Sequence, residues 1–192
     1  MSQTTRTIQI AVEPFTAEAF APFGVVLGEP PRTAEFGGPA SASWLMPFEA
    51  DSGVQFMYSR FKYQPMRFSV LERHFNVTQG FTPLNGSPLI MVVAPPTDRS
   101  GATAAPALES VRAFYLDGST GLLMHKGTWH ALDRFPVSPP HIDCVFITDR
   151  ATHQELMQEK ADGTKPQLTE LYDFEAERGV KFEIVGADAA IV

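Results

Sequence analysis

The chain has 192 residues, enough for one domain that buries roughly 70% of its unfolded surface without disulfide staples. A net charge of −7 and a pI near 5.2 exclude the basic footprint of a nucleic-acid binder, yet leave room for a small anionic substrate held by one or two local arginines. One cysteine excludes an internal disulfide framework, and neither a signal-like N-terminus nor a run of transmembrane length is present, so a cytoplasmic protein without membrane contacts is expected.

In chain order, residues 7–13 alternate as an edge strand, and Thr16 caps a short helix from Ala17 to Phe20 that stops before Pro22 and Gly24. Val25-Val26-Leu27 reads as a strand. Residues 28–53 are rich in Pro, Gly, Ala and Ser but carry Trp44, Met46 and Phe48, which predicts a long loop packed on the core. Strands are expected over 55–63, 68–74, 81–84 and 89–94, the last two flanking an Asn85-Gly86-Ser87 turn. Residues 97–107 read as a polar, mobile loop. Further strands are expected over 111–116, 121–125 and 143–148. Beyond Asp149, Thr152 with Glu155 suggests a capping box opening a helix to Lys160, and Val180 to Val185 a final strand. Many short strands with few helices predict a single all-β domain over 1–192, with 151–192 as a C-terminal extension.

The residues that carry chemistry lie on the strand 68–74. With a period of two, Phe68, Val70, Glu72 and His74 share one face, and Ser69, Leu71 and Arg73 share the other. A carboxylate and an imidazole thus point with apolar neighbours toward an interior, which is costly unless they bind something or pair. Gln79 follows His74 after a gap of four, and Gly86 follows after six more. Downstream, His125-Lys126-Gly127-Thr128-Trp129-His130 puts two further imidazoles behind an apolar run. Arg73 alternates away from Glu72 and His74, toward solvent or a subunit interface. Cys144, inside an apolar run, reads as a buried structural thiol.

These spacings resemble the two cupin motifs: His-x-His, then Glu, then Gly, and later Pro-x-Gly-x-x-His. Glu72 stands in place of a His, Gln79 in place of a Glu, and His125 in place of the Pro. Leu71-Glu72-Arg73-His74, Thr78-Gln79, Phe81-x-Pro83, Val92-Val93-Ala94, Arg112-Ala113-Phe114 and His125-x3-Trp129-His130 more specifically resemble the ureidoglycolate lyases of allantoin catabolism. The resemblance implies a cupin-type antiparallel β-barrel or sandwich, a homodimer, and cleavage of ureidoglycolate to glyoxylate and urea. The large apolar residues of 28–63 also point to a subunit contact.

Under that resemblance His74 and His130 form the acid–base pair, Glu72 tunes an imidazole and Gln79 binds polar groups of the substrate. Arg60 fits the family's arginine on the preceding strand as a carboxylate clamp. His125 and Lys126 either line the pocket or shape and solvate a turn. Glu72, His74, Gln79 and His130 are also a ligand set for a divalent ion, Ni, Zn, Mn or Fe, with Gln79 the weaker donor; without an ion they serve directly as acid, base and hydrogen-bond donors. Two alternatives stand beside this reading: a metal-dependent cupin acting on another small hydroxy or keto acid, and a small-ligand-binding cupin without turnover.

Overall fold

The computed structural model describes residues 5–28, 30, 32–99 and 105–187. Its strands are β1 (Arg6–Pro14), β2 (Gly24–Leu27), β3 (Phe36–Gly38), β4 (Ser41–Ser43), β5 (Val54–Lys62), β6 (Arg67–Phe68), β7 (Val70–His74), β8 (Gln79–Pro83), β9 (Leu89–Ala94), β10 (Arg112–Leu116), β11 (Gly121–Met124), β12 (Trp129–Ala131), β13 (Phe135–Pro136), β14 (His141–Asp149), β15 (Thr169–Asp173) and β16 (Val180–Val185). The helices are α1 (Ala17–Phe20), α2 (Arg150–Asp162) and α3 (Phe174–Arg178).

One sheet runs β15-β7-β12-β9-β10-β1-β16-β6 and a second runs β2-β11-β8-β14-β5. The expected all-β architecture with short helices is what forms, and the two curled sheets make a half-barrel. One strand departs from the antiparallel expectation. β1 pairs parallel with β16 through Arg6–Ala11 and parallel with β10 through Val12–Pro14, so it joins two parts of the first sheet.

β9 shows why its sequence is an unbroken apolar run, since all six residues from Leu89 to Ala94 are buried. Leu89, Met91 and Val93 face a core shared with Phe81, Phe114, Leu122, Met124, Cys144 and Phe146, between the two sheets. Ile90, Val92 and Ala94 face another, with Leu71, Trp129, Phe174, Phe182 and Ile184. A strand covered on both sides has no polar face to show. Each fully buried large side chain contributes about 1.5–3 kcal/mol.

The expected strand 68–74 is interrupted at Ser69, whose carbonyl accepts a 2.8 Å hydrogen bond from Phe174 N. The break shifts the phase. Phe68 stacks on Phe182 (ring centroids 4.9 Å apart) in the same core as Leu71, not beside Glu72. Segment 28–53 carries the β3–β4 hairpin, which its composition did not signal, and Ala50 bridges to Val77. Of the expected mobile loop 97–107, residues 100–104 lie outside the described residues.

α1 starts where Thr16 was expected to cap it, with Ala19 N donating to Thr16 Oγ1 at 3.1 Å. α2 begins earlier than its capping-box reading. Asp149, not Thr152, is the cap, accepting from Thr152 N at 2.8 Å, and Gly163 in the left-handed region (φ 77°) closes the helix. A carboxylate held at the end of β14 is the stronger cap, because it also accepts from Ser52 N at 2.7 Å. Glu155 is thereby free to accept from Gln167 N and Leu168 N, which turns the chain toward β15. β15 and β16 then join the first sheet, β15 beside β7 and β16 beside β1.

Candidate active site

Three adjacent strands bring the polar side chains together. His130 on β12 lies directly opposite Glu72 on β7, and Thr169 on β15 lies directly opposite His74. Alternation puts Glu72, His74 and His130 on one face, as the period-two reading expected. The turn leading into β12 is fixed by Gly127, whose φ of 78° suits glycine and whose N–H donates to His74 O at 2.7 Å. Thr128 Oγ1 donates to Phe23 O at 2.9 Å. The second motif is therefore tied by its backbone to the first.

The His74 and His130 rings sit 5.3 Å apart, and Glu72 Oε1 lies 3.7 Å from His130 Nδ1. One ligand atom from each of the three residues lies within 4.8 Å of the others. His74 Nδ1 is engaged by Thr169 Oγ1 at 2.9 Å, and His130 Nδ1 faces the carbonyl of Ala131 at 3.2 Å. With Nδ1–H given to that carbonyl, His130 Nε2 carries a lone pair, and this buried atom has no partner. Gln79, on the inward side of β8 with Phe81, likewise has a buried Oε1 without one. Orphaned buried acceptors beside a carboxylate suit a ligand or a cation.

Burial governs the electrostatics. It pushes Glu72 up to about 7, partly offset by the positive charge of Arg134, with Glu159 on α2 adding to the rise. Burial pulls His74 down to about 4, helped by Arg134, and pulls His130 well below its usual range, helped by Arg134 and His74. Both imidazoles are neutral at neutral pH, while the carboxyl is poised there. Cys144 faces the same core, but burial raises its thiol to about 11, which fits the structural role expected of it.

The chain from residue 7 to residue 166 matches the family model described as ureidoglycolate lyase. The chain belongs to the ureidoglycolate lyase family. It is 38% identical over 133 residues to the ureidoglycolate lyase of Pseudomonas aeruginosa PAO1, covering 65% of this chain and 74% of that one. It is 34% identical over 138 residues to that of Pseudomonas fluorescens Pf0-1, covering 63% and 74%. A Streptococcus suis RmlC structure in complex with dTDP-D-xylose overlaps at a TM-score of 0.34 and 12% identity, over 70% of this chain and 62% of that one, which is too distant to inform the site.

The remaining residues singled out on the family resemblance lie apart from the cluster. Arg60 is exposed on the outer side of β5, its fork closed on Asp143 at 2.7 and 2.9 Å. His125 is exposed at the turn, and Lys126 reaches Asp51 at 3.0 Å and Glu49 at 3.2 Å. Arg73, expected at solvent or an interface, is fully buried, paired with Glu170 at 2.7 Å and lying over Trp129. The unexpected residue is Arg134, 1% exposed, whose guanidinium lies 5.3–5.9 Å from the ring centroids of Phe61, Phe81 and Phe146. Nothing in the Leu132–Val137 stretch, where Arg134 follows Asp133 between apolar residues, marks that side chain as interior. Thr169 was also missed, because a threonine beyond an acidic, Gly- and Pro-punctuated segment gives no hint that it pairs with a strand some hundred positions earlier.

Proposed function

We propose that this chain cleaves ureidoglycolate to glyoxylate and urea at the face of β7 and β12 that carries Glu72, His74 and His130. The supporting observation is a pair of neutral imidazoles beside a carboxyl poised near neutrality, in a member of the ureidoglycolate lyase family. The reaction collapses a carbinolamide. A base takes the hydroxyl proton, the new carbonyl of glyoxylate forms, and the C–N bond breaks. The departing nitrogen takes up a proton and leaves as neutral urea. Groups whose pKa values are pushed apart by their surroundings meet both needs.

A neutral His74 or His130 accepts the hydroxyl proton, and the neutral form of Glu72 is the group holding a proton to deliver. Gln79 binds the substrate's N–H or hydroxyl through its unpartnered Oε1. Glu72, His74 and His130 together also fit a divalent ion, with Gln79 as a neutral fourth oxygen; such an ion, when bound, supplies Lewis-acid polarisation of substrate oxygens. The side chain of Glu72 keeps 16% exposure, against 2% for His130.

The chain acts as one domain, because the 151–192 extension supplies Thr169 to His74. It works in the cytoplasm, in keeping with a lone free cysteine; no helix among the described residues is long and apolar enough to cross a membrane. It pairs with a second copy through the outer face of the first half of β5 and the end of β14 beside it, short of the Arg60–Asp143 pair. Val54, Phe56 and Tyr58 are exposed there beside half-buried Val145 and Ile147. Sedimentation at micromolar concentration gives a dimer if that face is the interface, and a stable monomer rejects it. Glyoxylate release from ureidoglycolate, with and without a chelator, tests the reaction. Release in neither condition refutes it, and loss with chelator alone assigns the cluster to an ion.

A further inference from the structure

Arg134 is an expensive residue to leave as it stands. A guanidinium out of water costs several kcal/mol unless anions and acceptors replace its hydration. Yet Nη1 finds only the carbonyls of Ala131 at 2.5 Å and Asp133 at 3.3 Å, and Nε is buried with no partner at all. Among the described residues no carboxylate closes a salt bridge with it. Three phenylalanine rings surround it, which orient a planar cation but do not neutralise it.

Its position is tied to the catalytic cluster by a shared atom. The carbonyl oxygen of Ala131 receives both Arg134 Nη1 and His130 Nδ1, so guanidinium and imidazole meet at a single acceptor. Phe81 and Phe146, two of the rings beside it, line the core between the sheets that is also faced by Val93, the residue directly across from His130, so Arg134 lies on the His130 side of the sheet. Burial brings it down only to about 10, so it stays charged at neutral pH.

We propose that Arg134 is the substrate-binding residue that holds the carboxylate of the α-hydroxy acid, with its unpartnered N–H edge turned to the anion beside His130. A guanidinium fork matches a carboxylate bidentately, and the anion supplies the direct acceptors that the rings around Arg134 lack. Arg60, the candidate offered by the family pattern, already has its fork filled by Asp143 on the outer face. The proposal rests on the ureidoglycolate lyase reading only for the identity of the acid; the site itself recognises any small α-oxygenated carboxylate.

Titration calorimetry of the full chain with glyoxylate, and separately with urea, tests it. Arg134→Met keeps the shape and removes the charge, while Arg134→Lys keeps the charge and removes the fork. Glyoxylate is expected to bind about 100-fold more weakly to Arg134→Met and about tenfold more weakly to Arg134→Lys, with urea affinity unchanged in both. In turnover, Arg134→Lys, which keeps the charge acting on Glu72, His74 and His130, is expected to lose mainly in KM. If Arg134→Met fails to fold, Arg134→Lys decides the matter by the same measurement. Wild-type glyoxylate affinity in a folded Arg134→Lys, or no glyoxylate binding by the wild-type chain, overturns the proposal. An Arg134-dependent glyoxylate site in a chain that does not cleave ureidoglycolate refutes the substrate and keeps the residue. Cleavage with unchanged glyoxylate affinity in the variants does the reverse.

Discussion

Arg60 and Arg134 belong to opposite sides of the same curled sheets, and their surroundings differ in every respect that matters. Arg60 faces outward from β5, half its side chain in solvent, with both arms of its fork on Asp143 directly across the strand pair. Arg134 faces inward, is almost fully buried, and is left with an unpaired Nε among aromatic rings. The exposed pair is satisfied and worth little, because water and salt screen it. The buried cation is unsatisfied and held there by the fold. Residue type alone makes both arginines carboxylate clamps; the environment separates them.

The largest effect that could break this comparison comes from the interior. His130→Ala removes a buried imidazole that touches both Glu72 and the Ala131 carbonyl, and kcat is expected to drop by about 10²–10⁴-fold in a folded protein. Circular dichroism and steady-state kinetics on the same sample check it. A folded variant with near wild-type kcat but a lowered melting temperature makes His130 a core residue.

Acid stability is the next lever, because it probes a satisfied buried carboxylate rather than an unsatisfied one. Burial alone would raise Asp149, but hydrogen bonds from Ser52, Thr152 and Asn76 hold it down at about 2. A carboxyl with a lowered folded pKa stabilises the fold above its unfolded value near 3.9 and loses that contribution as pH falls through about 2. Unfolding free energy is thus expected to decline between about pH 4 and 2, and Asp149→Asn should flatten that limb in urea titrations at several pH values. An unchanged limb would remove Asp149 from the account.

The smallest effect belongs to the outer face. Arg60→Ala is expected to change stability by less than about 1 kcal/mol and to leave KM within about twofold. A large rise in KM would return the carboxylate to Arg60 and put the outer face, not the barrel interior, at the substrate.

Leu89–Ala94 was legible as a strand because the run is short, carries Ile90, Val92 and Val93 and lies between a turn and Pro95-Pro96; its cover on both faces is a property of the packed sheets. The Thr16 cap and the β16 boundaries were legible for equally local reasons. The phase of Phe68 was not, because the break at Ser69 depends on Phe174, far along the chain. The start of α2 was misplaced because Ser52 holds Asp149 from another strand's approach.

At the site, local periodicity was enough to put Glu72 and His74 on one face, and the resemblance to the cupin motifs singled out His130 as their partner. Only the first of these is set by neighbours in sequence. That Arg73 is buried against Glu170, that Thr169 holds His74, and that Arg134 turns inward were decided only when β15 and the chain after β12 packed against the barrel. Burial and the pairing of polar atoms are sums over distant chain segments. The sequence therefore names the chemistry available to this protein, and the tertiary structure decides which of its charges are left waiting for a ligand.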